Sequence, residues 1–465
     1  MKRGILSIVT VLVCAGISAQ TSYDAANAIE QDLIGTARYV GMGGAMSAFG
    51  NDISTISTNP AGIGTYTTNE VNFTASLNSN KTLMGETSMN ANSISSYDWY
   101  SKNLSSGINA SADVLSFVLF NHVPGNGALK SVNLGFAYRK IANTNRFMTY
   151  YDSFNDPEGY TVYRDLESNI TKSNKSYNLN VSLNLNNKLY LGTTLEMISS
   201  SFSSTGYFYD YYPEQPGYSV ATDYHSADMM TTQYGTGYNL AFGMIYRPFT
   251  SVRFGLSVKT PTWYGLNMDY ADYLYAFEGE PKDGEKFTQY TGYRFTSPWT
   301  VNASAGLTFG KTAIGFEYEH NFENSVMLLD DSGIILSDQG DYDFQNYGTL
   351  RAGIEQNIGK FSLRAGYTRT TSMFDSESYK FVDDTDFNMN RMDFQSERHD
   401  GKRDITLGVG YCTTIAEGGS QFYVDAAFVN TLRNSIFTLN EYYDDPILGY
   451  EDRSNRLLIS VGCTF

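Results

Sequence analysis

The sequence predicts an all-β fold: a transmembrane antiparallel β-barrel of about 14 strands, preceded by an N-terminal plug or hatch segment. Three observations predict it. Between Asn69 and Phe465 the chain runs in segments of alternating apolar and polar residues, joined in turn by very short turns and very long connections. Tight turns on one side of a membrane and long loops on the other are the habit of outer-membrane barrels. The chain opens on MKRGILSIVTVLVCAGISAQ and closes on the alternating stretch RLLISVGCTF, which ends on an aromatic residue.

The opening reads as a secretory leader. Lys2 and Arg3 give the positive start, Ile5 to Val13 the apolar core, and Ser18-Ala19 the small residues before a cut after Ala19. The apolar run is too short to anchor the chain across a bilayer. Cys14 raises a lipid anchor as the alternative, but the bulky Val13 stands where such a site takes a small residue. The expected organisation is a signal peptide over 1–19, a hatch over 20–68 and a barrel over 69–465.

Composition narrows the class. Only 17% of residues are charged, low for a soluble surface, and aromatics reach 15%. Pro is scarce at 10 residues, which suits long strands that cannot lose ladder donors. The mean hydropathy of -0.31 excludes a bundle of membrane helices. It suits a barrel, whose lipid-facing and lumen-facing residues average out. The formal charge of -17 falls to -19 when Lys2 and Arg3 leave with the leader, which argues against nucleic acid as a partner. Acidic runs such as Glu441–Asp445 and Asp383-Asp384 read as solvated loops, with divalent-cation binding as the alternative. Cys412 is expected to face inward and Cys463 outward, which separates the two thiols of the mature chain.

The strands follow in order from period-two alternation. The first carries Val71, Phe73, Ala75 and Leu77 on one face, and the second is the apolar run Val114 to Phe120. The third sets Val132, Leu134, Phe136 and Tyr138 outward against Asn133, Gly135 and Arg139 inward. The fourth alternates Leu179, Val181, Leu183 and Leu185 with Asn178, Asn180, Ser182 and Asn184. Then come Leu189 to Met197, Tyr238 to Tyr246, Val252 to Val258, Val301 to Phe309 and Ile314 to His320. Leu350 to Ile358, Phe361 to Tyr367, Ile405 to Tyr411, Phe422 to Phe428 and Leu457 to Phe465 complete about 14. Short turns are expected near 122–130, 186–188, 247–251, 310–311, 359–360 and 416–420. Long connections fall near 80–110, 143–175, 204–234, 261–298, 323–346, 371–402 and 434–454. The two kinds alternate throughout, and both ends of the barrel lie on the short-turn side.

The inward set is polar: Asn133, Arg139, Asn180, Glu196, Asn239, Arg253, Asn302, Glu317, Arg351, Glu355, Arg364 and Asp425. Such groups either bind the wall to the plug through paired charges or line a polar path. A barrel of this size leaves a channel unless something fills it. The segment TARYVGMGGAMSAFGNDISTISTNPAGIG, too apolar for a disordered tail, is the candidate filler, with a short helix expected over Ala45 to Phe49.

Within that segment, Gly41-Met42-Gly43-Gly44-Ala45 followed by Asn59-Pro60-Ala61-Gly62 resembles the N-terminal hatch of the FadL-type transporters of long-chain fatty acids and hydrocarbons. Clear motif resemblance covers residues 36–64. It implies a hatch inside a 14-stranded barrel, gated through Asn59, Pro60, Ala61 and Gly62 and also Gly41, Gly43 and Gly44. It further implies a hydrophobic small-molecule ligand captured from outside and a sideways exit through the wall into the outer-membrane bilayer. The alternative for those seven residues is a tight Asn-Pro turn and a close-packed Gly patch with no moving part. Tyr207-Phe208-Tyr209, Tyr211-Tyr212 and Tyr270, Tyr273, Tyr275 and Phe277 read either as a ligand-gathering loop surface or as a girdle on strand extensions.

No catalytic residue, metal site or cofactor is expected. His399 beside Asp400 sits in a charged stretch, His122 lies at a turn and His320 on the lipid face; HExxH and CxxC spacings are absent. Gly41-Met42-Gly43-Gly44 lacks the Lys and Ser/Thr of a phosphate loop. Two functions remain. The first is import of hydrophobic molecules across the outer membrane. The second is a barrel in a protein-secretion system that binds cargo or translocon proteins, since the same Gly-rich and Asn-Pro-Ala head also resembles barrels of that kind.

Overall fold

A computed structural model describes residues 22–90, 93–98, 108–155, 161–211, 223–278, 285–323, 326–330, 344–374, 398–415, 419–438 and 447–465. The expected leader, the acidic runs Asp383-Asp384 and Glu441–Asp445, Glu397, and the side chains of His225, His399 and Asp400 lie outside the described set.

The wall begins with β1 (Glu70–Asn90), onto whose outer end β2 (Ser93–Asp98) folds back, and continues with β3 (Ile108–His122), β4 (Leu129–Asn155), β5 (Thr161–Leu185), β6 (Leu189–Tyr211) and β7 (Asp223–Phe249). The next wall strand is β8 (Val252–Lys259) extended by β9 (Trp263–Glu278). It is followed by β10 (Glu285–Thr296) running into β11 (Trp299–Phe309), and by β12 (Thr312–Phe322) running into β13 (Met327–Asp330). The circuit ends with β14 (Tyr347–Ile358), β15 (Phe361–Thr370), β16 (Arg398–Thr414), β17 (Gln421–Thr438) and β18 (Ile447–Thr464). All pairings are antiparallel. β1 closes on β18 with Glu70 opposite Thr464, and Asn69 and Phe465 exchange backbone hydrogen bonds of 3.1 Å. Counting each continued strand once, and β2 together with β3 on the same edge of β1, gives 14, as the alternation predicts.

Faces follow the pleat. Val71, Phe73 and Leu77, and Leu457, Ile459 and Val461, are exposed to the outside, while Asn133, Asn180 and Asn302 are buried inside. Exposed Tyr177, Tyr238, Trp263 and Trp299 ring one edge of the aliphatic band, and Tyr246, Phe249, Phe309, Phe361 and Phe465 ring the other. This is the aromatic girdle of a membrane-spanning barrel. Among the described residues no helix is long and apolar enough to cross a membrane.

The strands run much farther than alternation indicates. β4 has 27 residues, roughly 90 Å along its axis and roughly 65 Å of height at a tilt near 40°. The apolar band needs only about 25 Å. Much of the expected long connections is therefore strand. Tyr207–Tyr211 belong to β6, and Tyr270, Tyr273, Tyr275 and Phe277 to β9, so the strand-extension reading holds for them and the loop reading does not. Above the membrane the outer face meets water and no longer lipid, so the ladder persists while the apolar-outward alternation that reveals it is lost.

Inside the barrel lie α1 (Ser22–Ile29), α2 (Ala37–Gly41) and two 3-10 turns, Ile53–Ile56 and Pro60–Thr65. Thr36 caps α2 by accepting from the Tyr39 amide. The helix expected over Ala45 to Phe49 is not formed. Helix instead precedes the Gly-rich turn, because Gly43 (φ 58°) and Gly44 (φ 75°) take left-handed conformations that end it.

Candidate functional site

The plug lies on a bed of wall glycines. Gly306, Gly315, Gly353 and Gly366 stand opposite one another across β11, β12, β14 and β15. A Cβ on Gly353 would run into the Met42 carbonyl, one on Gly315 into the Ala45 carbonyl, and one on Gly366 into the Gly43 amide; the Phe49 ring covers Gly306. Gly41 packs on Gly408 in the same way. Thr368 and Thr406 hydroxyls donate to the Gly43 and Gly41 carbonyls at 2.7 and 3.1 Å. The Gly-rich motif is thus the plug's half of a backbone-to-backbone contact. The wall's half was visible in sequence only as inward-facing glycines.

Asn59-Pro60-Ala61-Gly62 docks farther round the wall, on β6 and β7, where Gly192 and Gly243 leave room for it. Asn59 caps the 3-10 turn by accepting from the Ala61 amide at 3.2 Å, and its amide nitrogen donates to the carbonyls of Ser47 (3.0 Å) and Met244 (3.2 Å). Pro60 takes the first turn position, where its missing N–H costs nothing. Its carbonyl accepts from Ser182 and Asn180. Asn59, Pro60, Ala61 and Gly62 are all buried. Asn59→Ala removes the cap, the bond to Ser47 within the plug and the bond to Met244 of the wall. It is expected to cost about 1–2 kcal/mol and to raise protease cleavage within the plug, read by limited proteolysis of the folded barrel.

The polar lumen does what the paired-charge reading expects. Arg38 on α2 grips Glu355 through Nε (3.0 Å) and Nη2 (3.1 Å). Arg364 bridges Glu355 (2.7 Å) and Asp425 (2.5 Å). Arg351 joins Glu317 (2.6 Å) and Glu319 (3.1 Å). Asn133, Arg139 and Arg253 donate to the carbonyls of Ile63, Ile34 and Phe49 on the plug.

Beyond the plug, toward the strand extensions, sits an apolar chamber that sequence reasoning missed. Leu266, Met268 and Tyr264 of β9 and Tyr293 and Phe295 of β10 form one side, with Ile141, Ile198, Leu328, Phe344 and Phe374 around them. Tyr264 stacks on Phe295 at 6.0 Å and Phe344 on Phe374 at 5.5 Å. α1 fills the chamber with Ala25, Ala26, Ala28 and Ile29. Gln233, opposite Phe202 on one neighbour and Met268 on the other, is fully buried with no hydrogen-bond partner for its amide among the described residues. Below α1 a cavity of about 130 Å³ remains, lined by Glu30, Asp32, Tyr264, Tyr347 and Arg351 among others.

The strap leaving α1 carries charge. Glu30 pairs with Lys172 at 2.7 Å and with Arg433, and Asp32 lies 3.6 Å from Lys402 and 3.9 Å from Arg433. Burial works to raise the Asp32 carboxyl, but Lys402, Arg456 and Arg433 outweigh it and hold it below the ordinary carboxylate value. Asp32 is therefore ionised at neutral pH, and its pairing is lost only as pH falls through that lowered value.

Beside the strap the wall is unzipped. β3 pairs with β4 only from Val114 (opposite Arg139) to His122 (opposite Ser131). Residues 108–112 pair with β1, and among the described residues 108–113 do not pair with β4. Asp113 is the extra residue of a bulge: Thr74 faces Val114 and Ala75 faces Ala112. On the lipid side the small Ala110 and Ala112 leave a groove walled by Phe73, Leu77, Leu457 and Ile459. Across the gap, Asn80 donates to the Asn145 carbonyl, and Arg146 pairs with Asp452 at 2.9 Å.

No family model and no curated protein matches the sequence. Solved structures do. A Pseudomonas aeruginosa FadL homologue aligns over 94% of this chain and 99% of its own, with a TM-score of 0.60 at 13% identity. The P. putida toluene transporter TodX aligns over 93% and 99%, with a TM-score of 0.55 at 13% identity. At such identity the likeness is one of fold, and in fold this chain is a closed 14-stranded antiparallel barrel of the kind found in the FadL homologue and the toluene transporter.

Proposed function

We propose that the protein carries hydrophobic small molecules, of the long-chain fatty-acid or hydrocarbon class, across the bacterial outer membrane. It would reach that membrane as a secreted chain whose first 19 residues are a leader. The observation that carries the reading is the aromatic and aliphatic chamber enclosed in an otherwise polar lumen, with Gln233 as its buried polar handle. Ligand sites have this character, mostly apolar with a few fixed polar groups. A water-filled pore offers a greasy molecule nothing, whereas a dry chamber does. That barrels of the same fold are described as a toluene transporter and a FadL homologue supports the reading. No catalytic residue, metal or cofactor is assigned by it.

In this reading Asn59, Pro60, Ala61 and Gly62, with Gly41, Gly43 and Gly44, are the hatch elements that gate by anchoring: they fix the plug at two wall contacts while the chain before residue 36 moves. The present cavity of about 130 Å³ falls short of the roughly 300–1,000 Å³ of ligand pockets. An eight-residue helix about 10 Å wide and 12 Å long occupies on the order of 900 Å³, so departure of α1 makes the room. The molecule then leaves sideways, through the unzipped β3/β4 seam toward the groove at Ala110 and Ala112. The partner-binding reading in protein secretion draws support from no feature described above.

The seam gives a test. Deleting Asp113 removes the bulge and lets the outer part of β3 run straight beside β4. The expected result is a folded barrel that still binds a hydrophobic ligand but delivers it at the rate of cells lacking the protein. Undiminished delivery would remove the seam from the route.

A further inference from the structure

The strap between α1 and α2 meets the unzipped seam at one residue. β4 bulges at Ile141, between Lys140 and Ala142, and its edge there has lost β3 as a partner. Asp32 takes β3's place. Its backbone amide donates to the Ile141 carbonyl at 2.8 Å, and its carboxylate Oδ2 accepts from the Asn143 amide at 3.2 Å. One residue thereby satisfies a donor and an acceptor that a wall strand would otherwise satisfy. The same carboxylate faces Lys402 and Arg433 at 3.6 and 3.9 Å, beyond hydrogen-bond reach, so the attraction is ionic and open to competition. Three residues earlier, Ile29 lies in the apolar chamber. The segment from Ala25 to Asp32 has an apolar body and an acidic end, and it rests on an apolar chamber with a cationic end.

We propose that Asp32 is a latch that couples the chamber to the seam: held by Lys402 and Arg433 it seals the edge of β4 and keeps α1 in the chamber, and an anionic amphipath releases it by taking over those cations. The proposal rests on the transport reading and deepens it. A neutral molecule of the same length competes for the apolar surface only. An anionic one competes for both, and its headgroup arrives where the strap carboxylates sit. Release of Asp32 opens the edge of β4 at Ile141 and Asn143 in the same movement that lets α1 leave, so the seam stays shut while the chamber holds only the chain's own helix. Glu30 shares Arg433 with Asp32 and is also bound to Lys172 at 2.7 Å, and the Lys402 ammonium donates to the Gln31 carbonyl, so a headgroup that takes both cations loosens the strap at each of these points but Lys172.

The test places a thiol on α1. Ala28→Cys, buried in the chamber, is made in the full chain carrying Cys412→Ser and Cys463→Ser, and the protein is held in lipid nanodiscs. Labelling by a water-soluble maleimide is followed with no addition, with laurate below its micellar concentration, and with dodecanol. Laurate is expected to raise the labelling rate about tenfold and dodecanol to leave it within about twofold. Asp32→Asn, which keeps the shape and the acceptor for Asn143 but loses the charge, is expected to label about tenfold faster with nothing added and to respond equally to both molecules. If Asp32→Asn labels like its parent, or if dodecanol acts as well as laurate in the parent, the latch is overturned. Uptake by cells is scored separately. A barrel that imports hydrophobic molecules with Asp32→Asn unchanged keeps the function and loses the latch. One whose labelling follows the latch pattern but imports nothing keeps the latch and loses the function.

Discussion

Gly353→Val is expected to lift the plug off the wall while leaving the barrel closed. The new side chain must occupy the place of the Met42 carbonyl and its neighbouring backbone atoms, and backbone pinned between Thr368, Thr406 and the wall cannot step aside cheaply. Overpacking of this kind costs about 1–3 kcal/mol at flexible sites and more where backbone is struck. Valine itself suits a strand, so the pairings of β14 with β12 and β15 survive. In planar bilayers the wild-type barrel should stay shut and the variant should pass frequent ionic current. Combining it with Gly366→Val should increase the current further. A variant as silent as wild type would mean that the glycine bed does not set the position of the plug.

Arg364→Leu is expected to produce the largest loss of stability. Arg364 is the cation shared by Glu355 and Asp425, both buried, and its removal leaves Asp425 unpaired and Glu355 with Arg38 alone. Breaking a buried pair from one side typically costs about 3–5 kcal/mol, because the remaining charge stays desolvated. Arg364→Leu with Asp425→Leu removes one charge of each sign and keeps the Arg38–Glu355 pair, so it should regain most of that loss. Heat-modified mobility of the folded barrel and denaturant titration measure both. Equal losses in the single and double variants would show that packing at Arg364, and not charge, is what matters.

These two sites mark what the sequence disclosed. The wall was legible because a strand with lipid on one side and water on the other must alternate: Leu179, Val181 and Leu183 against Asn178, Asn180 and Ser182 leave no second register. The two strands broken at Pro261 and Pro298 were each read only through their membrane halves, β8 and β11. The outer halves, β9 and β10, pair Trp263 with Thr296 beyond the break, where the alternation inverts and Tyr264, Leu266 and Met268 turn inward against Gly265, Asn267 and Asp269. The Gly-rich and Asn-Pro-Ala motifs marked where the plug touches the wall, and the buried charges were named from their inward positions. The chamber was not legible. Tyr264, Leu266, Tyr293 and Phe295 come together only because the wall is curved, and a run of eight residues, SYDAANAI, gives no periodic signal long enough to announce α1. Asp113 stands just before the apolar run Val114 to Phe120, and its bulge emerges only from the pairing of β3 with β1.

The most direct test of the central claim is uptake. Cells lacking their own outer-membrane route for hydrophobic molecules would receive the wild-type chain, the chain lacking Asp113, or neither, with folded barrel confirmed in the outer membrane. They would then be given a radiolabelled long-chain fatty acid and, separately, labelled toluene. Wild type is expected to accelerate uptake of at least one of the two, and the chain lacking Asp113 is not. Uptake of both at the background rate, with the wild-type barrel folded and in place, would contradict that claim.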